Sequence, residues 1–100
     1  MRILMLALCV AALASCGPRV TGEIGKACLA SDRSAANPRL CNCVQAAANR
    51  HLNGRDQELA ATFFANPDIA QEIRARDDRA SEAFWQRYKD FSETAERSCR

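Results

Sequence analysis

NPRLCNCVQAAANRHLNG, residues 37–54, decides the fold. Asn37 is a good helix N-cap, and Pro38 falls at the first helical position, where its missing N–H costs nothing. From there Leu40, Val44, Ala47/Ala48 and His51 recur at the helical period, so one apolar stripe runs to about Leu52. Asn53-Gly54 breaks the helix. Cys41 and Cys43 lie on it, two residues and therefore about 200° apart, flanking the stripe on opposite sides. A helix whose two cysteines point apart is tied to two different places, which makes this stretch the hub of the chain.

Working downstream, Asn53 caps a second helix over 54–65, and Asp56, three residues on, sets a carboxylate near its N-terminus. That helix buries Leu59, Ala60, Phe63 and, at its margin, Phe64. Asn66-Pro67-Asp68 repeats the cap-then-proline signal. Beyond it Ile69, Ile73, Ala80, Phe84, Tyr88, Phe91, Ala95 and Cys99 form a stripe at spacings of three, four or seven. The stripe places Asp77 at an inward position, so a bend or new cap is expected at Asp77-Asp78, dividing it into helices over 67–76 and 78–98. Glu72/Arg76 and Glu93/Arg97 are acid-before-base pairs at i,i+4, each contributing a few tenths of a kcal/mol.

Upstream, 17–26 (GPRVTGEIGK) holds three glycines and a proline with little apolar content, and reads as a flexible tether. Residues 27–36 wrap the domain, pinned by Cys28, with room for a helical turn. No strand pattern, repeat or low-complexity tract is present. The expected fold is all-α, a small bundle of three to four helices occupying 27–100.

The first fifteen residues read as an export signal. Arg2 is a short positive n-region, and residues 3–14 are an unbroken apolar run, too short to anchor stably across a bilayer. Leu13-Ala14-Ser15-Cys16 then resembles the bacterial lipobox, in which the Cys thiol is lipidated and the chain is cut before it. Cys16 is therefore the expected acylation (palmitate-type) site and membrane anchor, each buried methylene contributing roughly 0.8 kcal/mol. Ala12-Leu13-Ala14 also fits ordinary signal-peptidase cleavage, which would give a soluble periplasmic or secreted protein. Gly17, not Asp, follows Cys16; by resemblance to Gram-negative sorting, this favours the outer over the inner membrane.

With Cys9 and Cys16 accounted for, Cys28, Cys41, Cys43 and Cys99 remain, an even set that in a small exported chain implies two disulfides. A Cys41–Cys43 bridge is strained and incompatible with a helix there. Of the two pairings left, Cys28–Cys43 with Cys41–Cys99 is preferred. Loop closure contributes about 3 kcal/mol for the shorter loop and about 4 for the longer. Processing leaves 85 residues, so few for a core that such staples matter. The rival reading of Cys41-Asn42-Cys43 is a thiol redox or copper-binding pair, unsupported by any second Cys-, Met- or His-rich cluster.

The mature chain carries 13 basic and 12 acidic residues, a balance that points to no nucleic-acid partner. Over the whole chain arginines outnumber lysines twelve to two and alanine is abundant, which reads as the mark of a GC-rich genome rather than of a dedicated role. His51, the only histidine, lies on the apolar stripe and reads as a helix-end residue making one hydrogen bond, with no nucleophile motif to serve. Asp77 and Asp78 read as capping groups, since no calcium-type loop surrounds them. No phosphate loop or zinc-helix motif occurs. The expectation is therefore a non-enzyme without cofactor or metal. Phe84, Tyr88 and Phe91 share a face, whereas Trp85 is rotated about 100° from Phe84; Trp85 with Arg87 is the candidate partner contact, Trp being enriched at binding hot spots.

Taken together, Cys28, Cys41-x-Cys43, Asp56-Gln57, Phe63-Phe64, Pro67, residues 70–74 (AQEIR), Phe84-Trp85, Arg87-Tyr88, Phe91 and Ala95-Glu96-Arg97 before Cys99 are similar to small exported proteins of the Rhodobacterales and related alphaproteobacteria. The likeness covers nearly the whole mature chain. Some of those proteins carry an automatic "arginine transporter" label. The resemblance implies a Gram-negative envelope setting and at most a transporter-accessory role, since nothing after the signal is long enough to span a membrane. The function expected is a membrane-anchored interaction or envelope-structural module. The alternatives are a small-solute-binding or transporter-accessory protein, and thiol or metal handling.

Overall fold

The computed structural model describes residues 19–31 and 36–99. The signal segment 1–15, the lipidation candidate Cys16 and the first part of the tether lie outside the described residues. Among those described, five helices and no strands occur: α1 (Glu23–Ala30), α2 (Pro38–His51), α3 (Gly54–Ala65), α4 (Asp68–Arg74) and α5 (Arg79–Ser98). The all-α reading holds, and three caps fall where the sequence places them; the fourth does not, for α4 starts at Asp68 with Pro67 at its N-cap position and no side-chain cap. Asn37 Oδ1 accepts from the Leu40 amide at 2.9 Å, Asn53 Oδ1 from Asp56 at 2.9 Å, and Asp78 Oδ1 from Ser81 at 2.8 Å. Each satisfies a first-turn donor that the helix itself leaves unpaired.

α2 and α5 run antiparallel. Cys43 is bonded to Cys99, while one end of α2 further on His51 Nε2 meets Thr94 Oγ1 at 2.8 Å. α1 packs on α2 and α3, and α4 joins α3 to α5. Ile24, Leu52, Phe63, Ile73, Phe84 and Phe91 form the core with Ala47, Ala48 and Ala60. Within it Tyr88 is the centre of the aromatic cluster, its ring 5.2 Å from Phe63 edge-on, 5.7 Å from Phe91 and 6.0 Å from Phe84. Edge-on and tilted pairs at such distances add about 0.5–1.5 kcal/mol each beyond area burial.

Four expectations are corrected. The stretch read as tether is helical from Glu23, and Ile24 within it is fully buried. Its three glycines mislead because two have structural work: Gly22 takes φ +86°, and Gly25 lets α1 close on α2, where an added Cβ would stand 3.4 Å from Gln45 and 3.5 Å from the Cys41 carbonyl oxygen, and also 2.9 Å from Val20. The disulfides are Cys28–Cys41 and Cys43–Cys99, not the crossed pairing. Because α1 lies on α2, Cys28 faces Cys41, and Cys43, turned to the other flank, is left to the end of α5. Ala80 is exposed and Ser81 is buried instead, its Oγ donating to Asp78 Oδ2 at 2.9 Å. Finally, α4 stops at Arg74, so Glu72 and Arg76 do not share a helix, and Arg97 donates to Thr94 at 3.4 Å.

A buried polar junction replaces apolar packing where α1, α2 and α3 meet. Gln45, 6% exposed, accepts the Gly25 amide at 2.8 Å. Its Nε2 donates to Asn49 Oδ1 at 2.8 Å and to Gln57 Oε1 at 2.7 Å. Gly22 has no side chain with which to cap α1, so Gln45 of α2 supplies the cap from a neighbouring helix.

Candidate interaction surface

Trp85 and Arg87, paired in the sequence reading, point to different sides of α5. Arg87 turns to α3, where Nε and Nη2 donate to the two carboxylate oxygens of Asp56 at 2.6 and 3.0 Å. Asp56 is buried, while the Arg87 side chain remains 42% exposed. The hydrogen bonds from Arg87 hold the Asp56 carboxyl below the usual carboxylate range, outweighing the opposing effect of burial. The same bonds raise Arg87 above its ordinary value. Arg87 is thus a structural clamp between α3 and α5, which removes it from the candidate partner site.

Trp85 stays half-buried at the surface, packed on the core through Tyr88, whose ring centroid lies 5.3 Å away. It forms one wall of a cleft of about 440 Å³ where α4 ends and α5 begins. Arg74, Arg76 and Arg79 line this cleft, with Glu82 and Gln86. The Arg74 guanidinium lies 5.9 Å from the Trp85 ring centroid, within cation–π reach. A second hollow, of about 200 Å³, lies where α3, α4 and α5 meet and is lined by Phe64, Pro67, Gln71 and Tyr88. Trp85 lines the first and Tyr88 the second, and their ring centroids are 5.3 Å apart.

The three arginines escaped the sequence reading because they stand in RARDDR, residues 74–79, a run of nearly balanced charge. The fold unbalances it. Asp78 is turned to the start of α5, where the Ser81 amide and hydroxyl and, more weakly, the charge of Arg76 lower its pKa. The arginines are left around the cleft. The signal that could have found them is the helix break itself, since it gathers both helix ends at one corner.

The other sequence candidates have ordinary places. His51 makes its one hydrogen bond, to Thr94, at the end of α2. Cys41 and Cys43 both stand in disulfides, to different partners, so neither offers a thiolate in this form. Among the described residues no group of three or more His, Cys, Asp or Glu side chains could hold a metal ion. No described helix is long and apolar enough to cross a membrane, and the two disulfides fit an oxidising, extracytoplasmic compartment. Comparison with known proteins finds no matching family model, no similar curated protein and no similar solved structure.

Proposed function

We propose that this chain is an exported lipoprotein, held to the periplasmic side of a Gram-negative outer membrane through Cys16, whose helical head binds another envelope component without catalysing a reaction. The observation that carries this reading is the Trp85 cleft. A half-buried tryptophan sharing a cleft with three arginines, on a head cross-linked twice, has the composition of a binding hot spot on a rigid support.

The position of the cleft supports it. Asn42 Nδ2 donates to the Arg19 carbonyl at 3.1 Å, tying the start of the domain to the first turns of α2, beside the Cys43–Cys99 bridge. Arg19 is three residue steps from Cys16, a reach of at most about 11 Å. The cleft lies at the other end of α5, whose 20 residues span about 30 Å. An anchor at one pole and a contact surface at the other suit a module that reaches outward from a membrane.

The transporter label carried by some of the exported proteins that the sequence resembles motivates a solute-binding alternative, but three guanidiniums disfavour a cationic amino acid. Calorimetry with arginine is expected to be flat. The anchor is tested by the intact mass of the mature protein, expected to equal residues 16–100 plus acyl chains and minus four protons. The binding role is tested by photo-crosslinking in envelope preparations, with the crosslinker placed in turn on several exposed faces. Recovery of no specific partner from any face would defeat it.

A further inference from the structure

We propose that the α4–α5 cleft takes an extended acidic segment of a protein partner, its carboxylates against Arg74, Arg76 and Arg79 and its apolar residues against Trp85 and Tyr88. This rests on the interaction role above and names the chemistry of the partner. Charge complementarity sets one end of the occupant. Three arginines line the cleft with one carboxylate, Glu82; Asp78, held in its cap at the start of α5, offsets part of the charge of Arg76 but does not line the cleft. Guanidinium forks match carboxylates in two-point hydrogen bonds, which favours arginine over lysine at such a site.

Shape sets the other end. The arginine cleft, lined by Trp85, and the Phe64–Pro67–Tyr88 hollow, where α3 meets α4 and α5, are neighbours through the Trp85 and Tyr88 rings, 5.3 Å apart. A free phosphate or single carboxylate would occupy only the first. An extended chain with acidic residues followed by a proline or aromatic side chain occupies both. A lipid headgroup of the anchoring leaflet is disfavoured, because the cleft lies at the opposite pole from Arg19, beyond the roughly 8 Å over which exposed charges act at physiological salt.

Trp85 is the only tryptophan in the chain, so its fluorescence reads this cleft without a label. The disulfide-intact protein is titrated with a glutamate-rich peptide ending in proline and phenylalanine. Its glutamine-for-glutamate counterpart, inorganic phosphate and phosphatidylglycerol vesicles serve as the other arms. The expected result is a saturable change in Trp85 emission with the acidic peptide alone, weakening as salt is raised. Arg76→Gln/Arg79→Gln should weaken it at least about tenfold, while Lys26→Gln, an equal loss of charge per site on α1, leaves it unchanged. Both arginines are exposed, so circular dichroism should show the variant folded. A flat peptide titration, or an equal response to phosphate, vesicles or the neutral peptide, overturns the proposal. Should crosslinking still recover a specific partner through another face, the interaction role survives and only this assignment of the cleft falls.

Discussion

Asp56 is the residue on which the packing of α3 against α5 turns. Its carboxylate is buried and both oxygens are held by Arg87. Removing one member of a buried pair strands the other, at a cost of several kcal/mol when both are sequestered. Here Arg87 is 42% exposed, so water reaches the pair and the cost falls. Arg87→Ala is expected to destabilise by about 1–3 kcal/mol in urea unfolding, the range for a buried group left unsatisfied. The pH dependence follows from the direction of the shift. The folded pKa of Asp56 lies below its unfolded value of about 3.9, so on acidification the unfolded chain takes up the proton first. The contribution of the pair is therefore complete well above pH 4 and is lost as pH falls through the depressed pKa. Asp78 is shifted in the same direction by its cap to Ser81 and persists in the variant. The difference between wild type and Arg87→Ala thus isolates Asp56 and should shrink toward zero in acid. A difference constant down to pH 2 would show that the pair is not what Arg87 contributes.

At the level of the element, α1 is the helix that stands or falls by its neighbours. Eight residues are too few to be helical alone. What holds α1 is Ile24 in the core, the Cys28–Cys41 bond and the cap from Gln45. Gln45→Leu removes that cap, leaving the Gly25 amide without its acceptor and Gln57 Oε1 without its donor, at an expected cost of about 1–3 kcal/mol. Gly22→Ala should cost about 1–2 kcal/mol, because φ +86° with ψ 159° is essentially a glycine conformation and the new Cβ would collide with the Gln45 side chain. Thermal unfolding checks both, and hydrogen exchange should show the α1 amides losing protection first. The same element explains what the sequence could and could not reveal. The start of α2 and both bounds of α3 were legible because Asn37-Pro38, Asn53 and Asn66-Pro67 act on their own neighbours in the chain. α1 was not, since one isoleucine among glycines carries no period, and its helicity depends on a glutamine some twenty residues away. Trp85 could be singled out as a lone residue. Its arginine neighbours and the Asp56–Arg87 clamp could not, because they depend on which helix faces which. The crossed disulfides were a consequence of missing α1, for only its docking on α2 decides which of Cys41 and Cys43 meets Cys28.

For the whole molecule, the two bonds divide the labour of closing the bundle. Cys28–Cys41 spans 13 residues and Cys43–Cys99 spans 56, which by loop entropy makes the second worth about 1 kcal/mol more, about 4 against about 3. Burial narrows this gap, since Cys28 and Cys41 lie in the interior and their replacement by alanine leaves a small void. Each double alanine variant is therefore expected to lose a similar amount, about 3–4 kcal/mol, a large share of the stability of so small a domain. The two should differ in where the fold opens. Without Cys28–Cys41, α1 is freed while the α2–α5 pair stays protected; without Cys43–Cys99, exchange should spread from the last turns of α5 and loosen the His51–Thr94 contact. Ordinary tryptic mapping cannot verify the pairing, because Cys41 and Cys43 fall in one peptide, 40–50, whichever way they are joined. Asn42→Lys introduces a cleavage site between them at a partly exposed position. In the digest of that variant, 40–42 should remain linked to 27–33, and 43–50 to 98–100. Recovery of 43–50 joined to 27–33 would mean that α1 docks on the other flank of α2, and the antiparallel closure of α2 on α5 described here would have to be redrawn.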